Sequence, residues 1–416
     1  MTNALTTTEA SLPITQDTQS RNKRYVQIDA IGVGLANAAS PFLPVFLTRM
    51  EATSTQVGLL SSMPGITGLL LAIPVGRFLQ SRKYIVPWFS FARLLVISAY
   101  ALTGLIPFLV PREITVVSVL FIWALATLPQ TMVAVCFSVV MNSVAGPEGR
   151  FDLMSRRWSI LGITTALTVA LVGWLLDQIN FPINYQVVFL GLSLGGLISY
   201  YFSSRIRLPE SQTSPPKPSD RSLINNVRTY ISLVREQPAF VSFTIKRFVF
   251  LSGVSLAAPL FPLYFVREVH ATDAQIGLIN TAQTIVLVIG YMLWVRQTYR
   301  RGSRFVLLVS TLGMSIYPAL VASTHNPVLL VAFAGLVGIF SAGVDLVFFD
   351  ELMKTVPPDY APTFVSLAQG IQYLSAIFAP LMGTFLAEHI GLQGALIVGA
   401  LLRLSGFLLF ARPIRR

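Results

Sequence analysis

Apart from Arg403, which we interpret as structural, five ionisable residues lie within or at the edge of long apolar stretches of this 416-residue chain. A charge taken out of water inside a membrane costs several kcal/mol unless it is paired or hydrated. Residues of this kind can take up and release a proton, pair with a charge on another helix, or bind an ion of opposite sign. They are therefore the first candidates for a function, and they are Asp29, Arg93, Lys246, Arg247 and Asp345.

Asp29 and Arg247 occupy equivalent positions in two similar segments. Each lies 20 residues before a matched arginine, Arg49 or Arg267, a distance of about 30 Å along a helix. We predict that Asp29 pairs with Arg247, or with neighbouring Lys246, as a gate between two halves of the protein when the cytoplasmic side is closed. Protonation of Asp29 or arrival of a solute would release this gate. In the alternative interpretation, each side chain only extends to the membrane surface, as charged residues at helix ends commonly do.

Several polar residues are candidates for contact with a solute. Arg93 lies about nine residues into its apolar stretch, roughly 14 Å along a helix. It suits an anionic solute group or a buried carboxylate, and an ion pair between helices of one half explains it equally well. Residues 369, 372 and 373 share one helix face by their spacing, and they either bind a solute or join helices. The full set of candidates is Asn37, Arg93, Gln130, Gln369, Gln372 and Tyr373.

The composition indicates a protein that crosses a membrane many times. Hydrophobic residues make up 54% of the chain and charged residues 12%, about half the usual 25% of soluble proteins. A helix needs about 20 mostly apolar residues to cross a bilayer. We predict an all-α membrane protein with twelve transmembrane helices in two sets of six. The predicted spans are 28–48, 55–76, 84–107, 114–140, 158–177 and 183–203, then 243–266, 274–295, 304–323, 328–349, 362–387 and 391–411.

The basic residues predict the orientation of these spans. Most Lys and Arg residues lie in the tails and in the loops after even-numbered spans, whereas Arg49, Arg112 and Arg267 lie on the other side. Cytoplasmic segments are enriched in Lys and Arg, so we expect both termini in the cytoplasm and the protein in the plasma (inner) membrane. The predicted parts are a disordered tail (1–26), a six-helix bundle (27–204), a cytoplasmic linker (205–238) with a surface helix at 221–236, a second bundle (239–412) and a short end (413–416).

The two sets of six spans are related by an internal duplication. PFLPVFLTRMEATSTQVGLL at 41–60 is similar to PLFPLYFVREVHATDAQIGLI at 259–279. Shared apolar composition does not explain matched Pro and Arg residues near helix ends, whereas a repeated unit does. The same shift of 218 residues takes Asp29 to Arg247. The other matches at this shift are Pro41 with Pro259, Pro44 with Pro262, and Arg49 with Arg267.

Two six-helix halves in one orientation, joined by a basic linker, resemble the major facilitator superfamily of secondary transporters. GRFLQSRK at 76–83 is similar to the family's G-x-x-x-D-R-x-G-R-K loop, with Gln80 in place of the acid, and GPEGR at 146–150 is similar to its P-x-E-R-G loop. LPQTMVAV at 128–135 replaces the R-x-x-Q-G of proton-driven drug exporters, so we assign no subfamily.

The resemblance implies two pseudo-symmetric bundles that rock about a central site, which fits the general architecture of transporters built from repeats. It also implies that spans 1, 4, 7 and 10 line the cavity. Asp345 lies in span ten, and this makes it a second candidate for proton coupling. The gate and proton-coupling candidates are therefore Asp29, Lys246, Arg247 and Asp345.

The chain has no sequence motif for catalysis. It contains no GxxxxGK[ST], HExxH, CxxC or GxSxG, so we expect no enzymatic activity, no cofactor and no nucleic-acid partner. We predict a monomeric secondary active transporter that moves a small solute by alternating access, coupled to protons by symport or antiport. The alternative is a non-transporting scaffold or assembly factor on the same fold, which a cavity with few polar groups would favour.

Overall fold

The computed structural model describes residues 16–208, 237–356 and 361–412, and all regular elements in these ranges are helices. The helices are α1 (Gln16–Asn37), α2 (Phe42–Arg49), α3 (Ser54–Gln80), α4 (Val86–Leu109), α5 (Arg112–Gln178), α6 (Ile183–Ser204), α7 (Pro238–Ala257), α8 (Leu260–Arg267), α9 (Asp273–Arg301), α10 (Ser303–Ala322), α11 (Pro327–Thr355) and α12 (Ala361–Ala411). We call α1–α6 the N-lobe and α7–α12 the C-lobe.

These helices supply the predicted membrane crossings. Eleven helical segments of the described chain are long and apolar enough to span a bilayer. The last of them, Phe364–Ala411, has 48 residues and is divided by the non-helical Gly391, with φ 78° and ψ 164°. It therefore provides two spans, and the prediction of an all-α membrane protein with twelve transmembrane helices is confirmed.

Helix α5 contains both span four and span five, and its helical residues run continuously from Arg112 to Gln178. Phe137 and Trp158 lie 21 residues apart, which is about 30 Å along a straight helix, yet their ring centroids are 6.3 Å apart. The chain therefore reverses direction between them. The predicted non-helical loop at 146–150 is wrong, because these residues fall within the helical range of α5.

The N-terminal boundary also differs from the prediction. Helix α1 begins at Gln16, so residues 16–26 of the predicted disordered tail are helical. Asn22 is fully buried. Its Nδ2 donates to the Arg207 carbonyl at 2.7 Å, and its Oδ1 accepts from the Arg207 amide at 3.1 Å. These bonds hold the first turns of α1 against the end of the N-lobe.

Parts of the predicted organisation lie outside the described residues. They are the first 15 residues of the tail, most of the linker with the surface helix at 221–236, and the end at 413–416.

The duplication appears as two matched breaks in the helices. Span one consists of α1 and α2 with Pro41 at the junction, and span seven consists of α7 and α8 with Pro259 at the junction. The next helix of each lobe begins with the same capping box. Thr53 and Gln56 form it at α3, and Thr272 and Gln275 form it at α9. Both lobes thus use the same local structure at the same end of the molecule.

The lobes meet mainly along two helix pairs, α3 with α12 and α5 with α9, and α2 also contacts α8. Glycines bring these helices close together. A Cβ on Gly173 of α5 would lie 2.8 Å from the Asp273 carbonyl oxygen and 3.1 Å from the Cα of Gly277. On the other side, Gly68 of α3 faces the ring of Tyr373 on α12. The remaining helices of each lobe are left to surround the space between these contacts.

Close packing within the N-lobe depends on Gly32. A Cβ at this position would lie 2.3 Å from the backbone nitrogen of Ser199 and 2.9 Å from its Cα. We expect Gly32→Ala to destabilise the protein by about 1–3 kcal/mol, because α1 must move away from α6. Gly370→Ala is the control, since nothing lies within 4 Å of its added Cβ. Equal unfolding midpoints for the two variants in detergent would contradict this expectation.

Candidate functional site

Asp29 is the centre of a buried charge cluster that joins four helices of the N-lobe. It is fully buried. Its Oδ1 accepts from Arg93 Nη1 and from Ser199 Oγ at 2.7 Å. Its Oδ2 accepts from Arg157 Nη2 at 3.5 Å. Arg93 Nη1 also donates to Ser199 Oγ at 2.9 Å. The cluster ties α1, α4, α5 and α6 together.

The predicted pair between Asp29 and Arg247 is not formed in this conformation. Asp29 is already surrounded by donors of its own lobe, and Arg247 donates from Nη2 to Gln372 Oε1 at 2.5 Å. Lys246, beside Arg247, is partly exposed. Of the two interpretations of Arg93, the structure shows the ion pair between helices of one lobe, with Asp29 as the partner. Arg93 also lines a cavity within the N-lobe.

Because of Arg157, this cluster contains one more positive charge than negative charge. Two guanidinium groups share the single carboxylate of Asp29. Arg157 is only 3% exposed, and its Nε has no hydrogen-bond partner in the described structure. Its guanidinium carbon lies 4.6 Å from the ring centroid of Phe137, a cation–π contact. A buried cation that lacks full compensation attracts an anion or water.

A cavity of about 530 Å³ lies beside the cluster within the N-lobe. Asn37, Arg93 and Gln130 line it together with Arg157. The structure thus brings together three of the six predicted solute-contact residues. The cavity is one place in the molecule where a charged group, an amide and aromatic rings face the same space.

The other three predicted contact residues lie on α12, away from that cavity. Gln369 is exposed and Gln372 is partly exposed. Gln372 accepts the hydrogen bond from Arg247, so it acts within the C-lobe. Tyr373 packs its ring against Gly68 of the N-lobe. Its ring therefore contributes to the contact between the lobes.

A second cavity, of about 320 Å³, lies between the lobes. The N-lobe contributes Pro41, Pro44 and Val45 at the break in span one. The C-lobe contributes the rest of the wall, which is largely apolar. Its polar members are Asn280, Gln283, Tyr317, Ser341 and Arg403. We call this space the interlobe cavity.

Asp345 extends one wall of the interlobe cavity towards the C-terminal end of α11. On α11, Val337 and Ser341 line the cavity, and Asp345 follows one turn later on the same helix face. It is exposed and accepts a hydrogen bond from Tyr291 Oη at 2.9 Å. A carboxylate in this position can meet water and exchange a proton.

The interlobe cavity is closed at one end by two matched arginines. Arg49 donates to the Ala271 carbonyl oxygen at 2.9 Å, and Arg267 donates to the Ala52 carbonyl oxygen at 2.5 Å. Each arginine therefore reaches across to the loop of the opposite lobe. We call these reciprocal contacts the arginine clamp, and we call this side of the molecule the clamped end. The opposite side, where Lys83 and Arg300 lie, is the basic end.

Asp273 makes the clamp asymmetric. Arg49 donates to its Oδ1 from Nε at 2.9 Å, and Tyr185 Oη donates to the same oxygen at 2.7 Å. In the matching position of the N-lobe, Ser54 accepts only a neutral hydrogen bond from Arg267 Nη1, at 2.9 Å. Asp273 and Ser54 are both buried, but Arg49 is only partly exposed whereas Arg267 is exposed, so the charged half of the clamp is also the less hydrated half.

The comparisons with known proteins identify the architecture. Residues 245–416 match the sequence profile of the Major Facilitator Superfamily. The nucleoside transporter NupG is 12% identical, covers 95% of this chain and 100% of its own, and superposes with a TM-score of 0.69. A bacterial homologue of the iron transporter ferroportin, in an inward-facing state, is 14% identical over 96% of this chain and 99% of its own, with a TM-score of 0.70. This chain has the major facilitator fold.

A third structure supports the same conclusion. A bacterial homologue of the human lysosomal transporter Spinster, in an inward-facing and occupied conformation, is 13% identical over 97% of both chains, with a TM-score of 0.68. No curated protein sequence matches the chain. Residues 245–416 match the family's sequence profile, and the whole chain has its fold. The resemblance drawn from the sequence is confirmed, and the subfamily stays unassigned.

Within the major facilitator fold, several site residues could not be recognised as such from the sequence. Arg157 lies directly before predicted span five, among the basic residues of a loop, although it is buried. Arg49 and Arg267 served only as markers of the duplication. Their matched spacing was the available signal, because paired arginines at equivalent helix ends can form a reciprocal contact. No group of three or more potential metal ligands occurs in the described ranges.

Proposed function

We propose that this protein is a secondary transporter that moves a small solute across the membrane by alternating access. The arginine clamp carries this proposal. Its donors and acceptors belong to different lobes, so it can open without disturbing the interior of either lobe. Between the lobes lies a cavity with an arginine, two amides and two hydroxyls in its wall. Opening the clamp and closing the basic end would pass a solute from one side to the other.

The orientation follows from the charge distribution. We place the basic end in the cytoplasm of a cell whose plasma (inner) membrane holds the protein as a monomer, because Lys and Arg favour the cytoplasmic side. The described conformation is then closed to the outside and open inwards. Exposure of Asp345 and partial exposure of Arg247 support this assignment. Two similar structures are also described as inward-facing.

The polar groups of the two cavities favour transport over a scaffold. A scaffold needs no hydrated charge in its interior, whereas a transporter needs groups that replace the water around its solute. Asn37, Gln130 and Arg157 face the N-lobe cavity, and Arg403 faces the interlobe cavity. The similar structures are those of transporters, and on this ground we propose no enzymatic activity.

Two pairs of spin labels test the proposed exchange without knowledge of the solute. One pair, Glu113→Cys with Val328→Cys, reports on the clamped end, and Lys83→Cys with Arg300→Cys reports on the basic end. All four positions are exposed. The buried Cys136 is replaced by Ala in both double variants. We expect each pair to show two distances in liposomes, and the long distance at one end should accompany the short distance at the other. A single fixed distance at both ends would support the scaffold.

We also propose that Asp345 takes up the coupling proton. Closing the basic end would remove its carboxylate from water, and a buried charge is costly, so protonation should favour that closure. In acidic buffer, a larger fraction of the molecules should then show the short Lys83–Arg300 label distance.

Asp345→Asn should show the acidic distribution at every pH. Asp350→Asn is the control, because its carboxylate pairs with Lys354 at the surface, at 2.6 Å. An unchanged pH response in Asp345→Asn would exclude Asp345 as the coupling site.

A further inference from the structure

Arg403 is a buried cation without an anionic partner. It lies on α12, is only 2% exposed and reaches into the interior of the C-lobe. Its Nε donates to the Gly253 carbonyl oxygen at 3.2 Å, and its Nη1 donates to the Met314 carbonyl oxygen at 3.1 Å. In the part of the chain that the structure describes, no carboxylate forms a salt bridge with it.

The surroundings of Arg403 suit an amphipathic anion. The interlobe cavity that it lines also presents the amide of Gln283 and the hydroxyls of Tyr317 and Ser341. The rest of the wall is apolar and includes Phe261 and Phe265. One buried charge, a few polar groups and a hydrophobic wall are the usual composition of a site for a small organic molecule. A cation would be repelled here, and a neutral solute would leave the charge of Arg403 uncompensated.

Two other arginines whose charges are not fully compensated lie nearer the basic end. Arg157 shares Asp29 with Arg93 and has an unpartnered Nε. Arg247 is bound only to the neutral Gln372, and its Nε also lacks a partner among the described residues. Positive groups in a low-dielectric cleft raise the local concentration of anions. Arg157 and Arg247 therefore favour the entry of an anion from the basic end, against the repulsion of the single carboxylate of Asp345, which continues the cavity wall towards that end.

We propose that the interlobe cavity binds a small organic anion, with its carboxylate on Arg403 and its apolar part against the aromatic wall. This proposal rests on the transport function and names its substrate class. The N-lobe wall of the cavity is the break in span one at Pro41 and Pro44, only a few residues before Arg49 of the clamp. Movement of that wall when the clamp opens would uncover the anion on the other side of the membrane.

Pairs of solutes that differ only in charge test the proposal. Benzoate is compared with benzamide, and hexanoate with hexanamide, by the thermal unfolding of the purified protein in detergent. A ligand that binds only the folded state raises the midpoint, and we expect this from the carboxylates alone. Arg403→Gln should weaken carboxylate binding by about 10- to 100-fold, the value of a hydrogen bond to a charged group. Arg112→Gln removes one exposed charge outside the cavity and should bind as the wild type does.

Two further variants keep the test decisive if Arg403→Gln does not fold. Arg403→Lys retains the charge and should retain the preference for carboxylates with weaker binding. Ser341→Leu fills the cavity, leaves the Arg403 bonds in place, and should abolish the response. A carboxylate response that survives both Arg403→Gln and Ser341→Leu would overturn the proposal. A wild type that responds only to neutral or cationic solutes would overturn it too, while transport stands. Fixed label distances at both ends would instead refute the transport function.

Discussion

Asp29→Asn is expected to destabilise the N-lobe by about 3–5 kcal/mol, the usual effect of removing one partner from a buried ion pair. The reason is that Arg93 and Arg157 would lose the carboxylate they share. Both arginines are more than nine-tenths buried, so water cannot replace the lost charge. Two adjacent guanidinium groups would also repel each other, and four helices would lose their common contact.

The measurement is the free energy of unfolding in detergent, compared with a carboxylate variant that should have almost no effect. Glu51→Gln serves this purpose, because Glu51 and Arg112 form an ion pair in which the side chains are 83% and 60% exposed. Such pairs contribute about 0–1 kcal/mol. Similar losses for Asp29→Asn and Glu51→Gln would show that the buried cluster is not a structural centre.

A double variant separates the cluster from the predicted gate. Adding Arg157→Met to Asp29→Asn removes one of the stranded cations, so the double variant should lose less than the sum of the single losses. The gate between Asp29 and Arg247 stays a prediction for the conformation in which the basic end is closed. If that gate exists, Asp29→Asn should lengthen the Lys83–Arg300 label distance.

Asp273→Asn should open the arginine clamp. The charged bonds from Arg49 would be replaced by weaker neutral ones while Arg49 stays partly buried, and such a loss typically costs about 2–5 kcal/mol. These bonds exist only when the clamped end is closed. The lost free energy therefore shifts the equilibrium from the closed to the open conformation of that end. The outward-open population should rise by roughly 30-fold or more.

The label pair at Glu113 and Val328 measures this shift directly. Its long distance should become populated in Asp273→Asn, while the unfolding midpoint changes little. Glu268→Gln is the matched control, because Glu268 lies at the same end but contacts His325 of its own lobe, at 3.8 Å. A label distance that is the same in Asp273→Asn and Glu268→Gln would mean that the clamp does not control closure.

The sequence by itself determined the class, the number of spans and the duplication. These properties are local or periodic: twenty apolar residues suffice for a bilayer helix, and matched residues such as Pro41 and Pro259 recur in matched breaks. The capping residues Thr53 and Thr272 likewise act within a single turn of helix. The boundary errors at Gln16 and at 146–150 arose where polar residues continue a helix beyond its apolar part.

Only the tertiary structure decided which charges meet. Sequence reasoning could state that Asp29 needs a partner, but Arg93 and Arg157 lie 64 and 128 residues away. Arg49 and Asp273 are separated by 224 residues. The rotation of each helix about its own axis decides whether a charge faces lipid, a neighbour or a cavity, and packing against other helices sets that rotation. Arg403 therefore became visible as an unpaired cation only once the helices around it were in place.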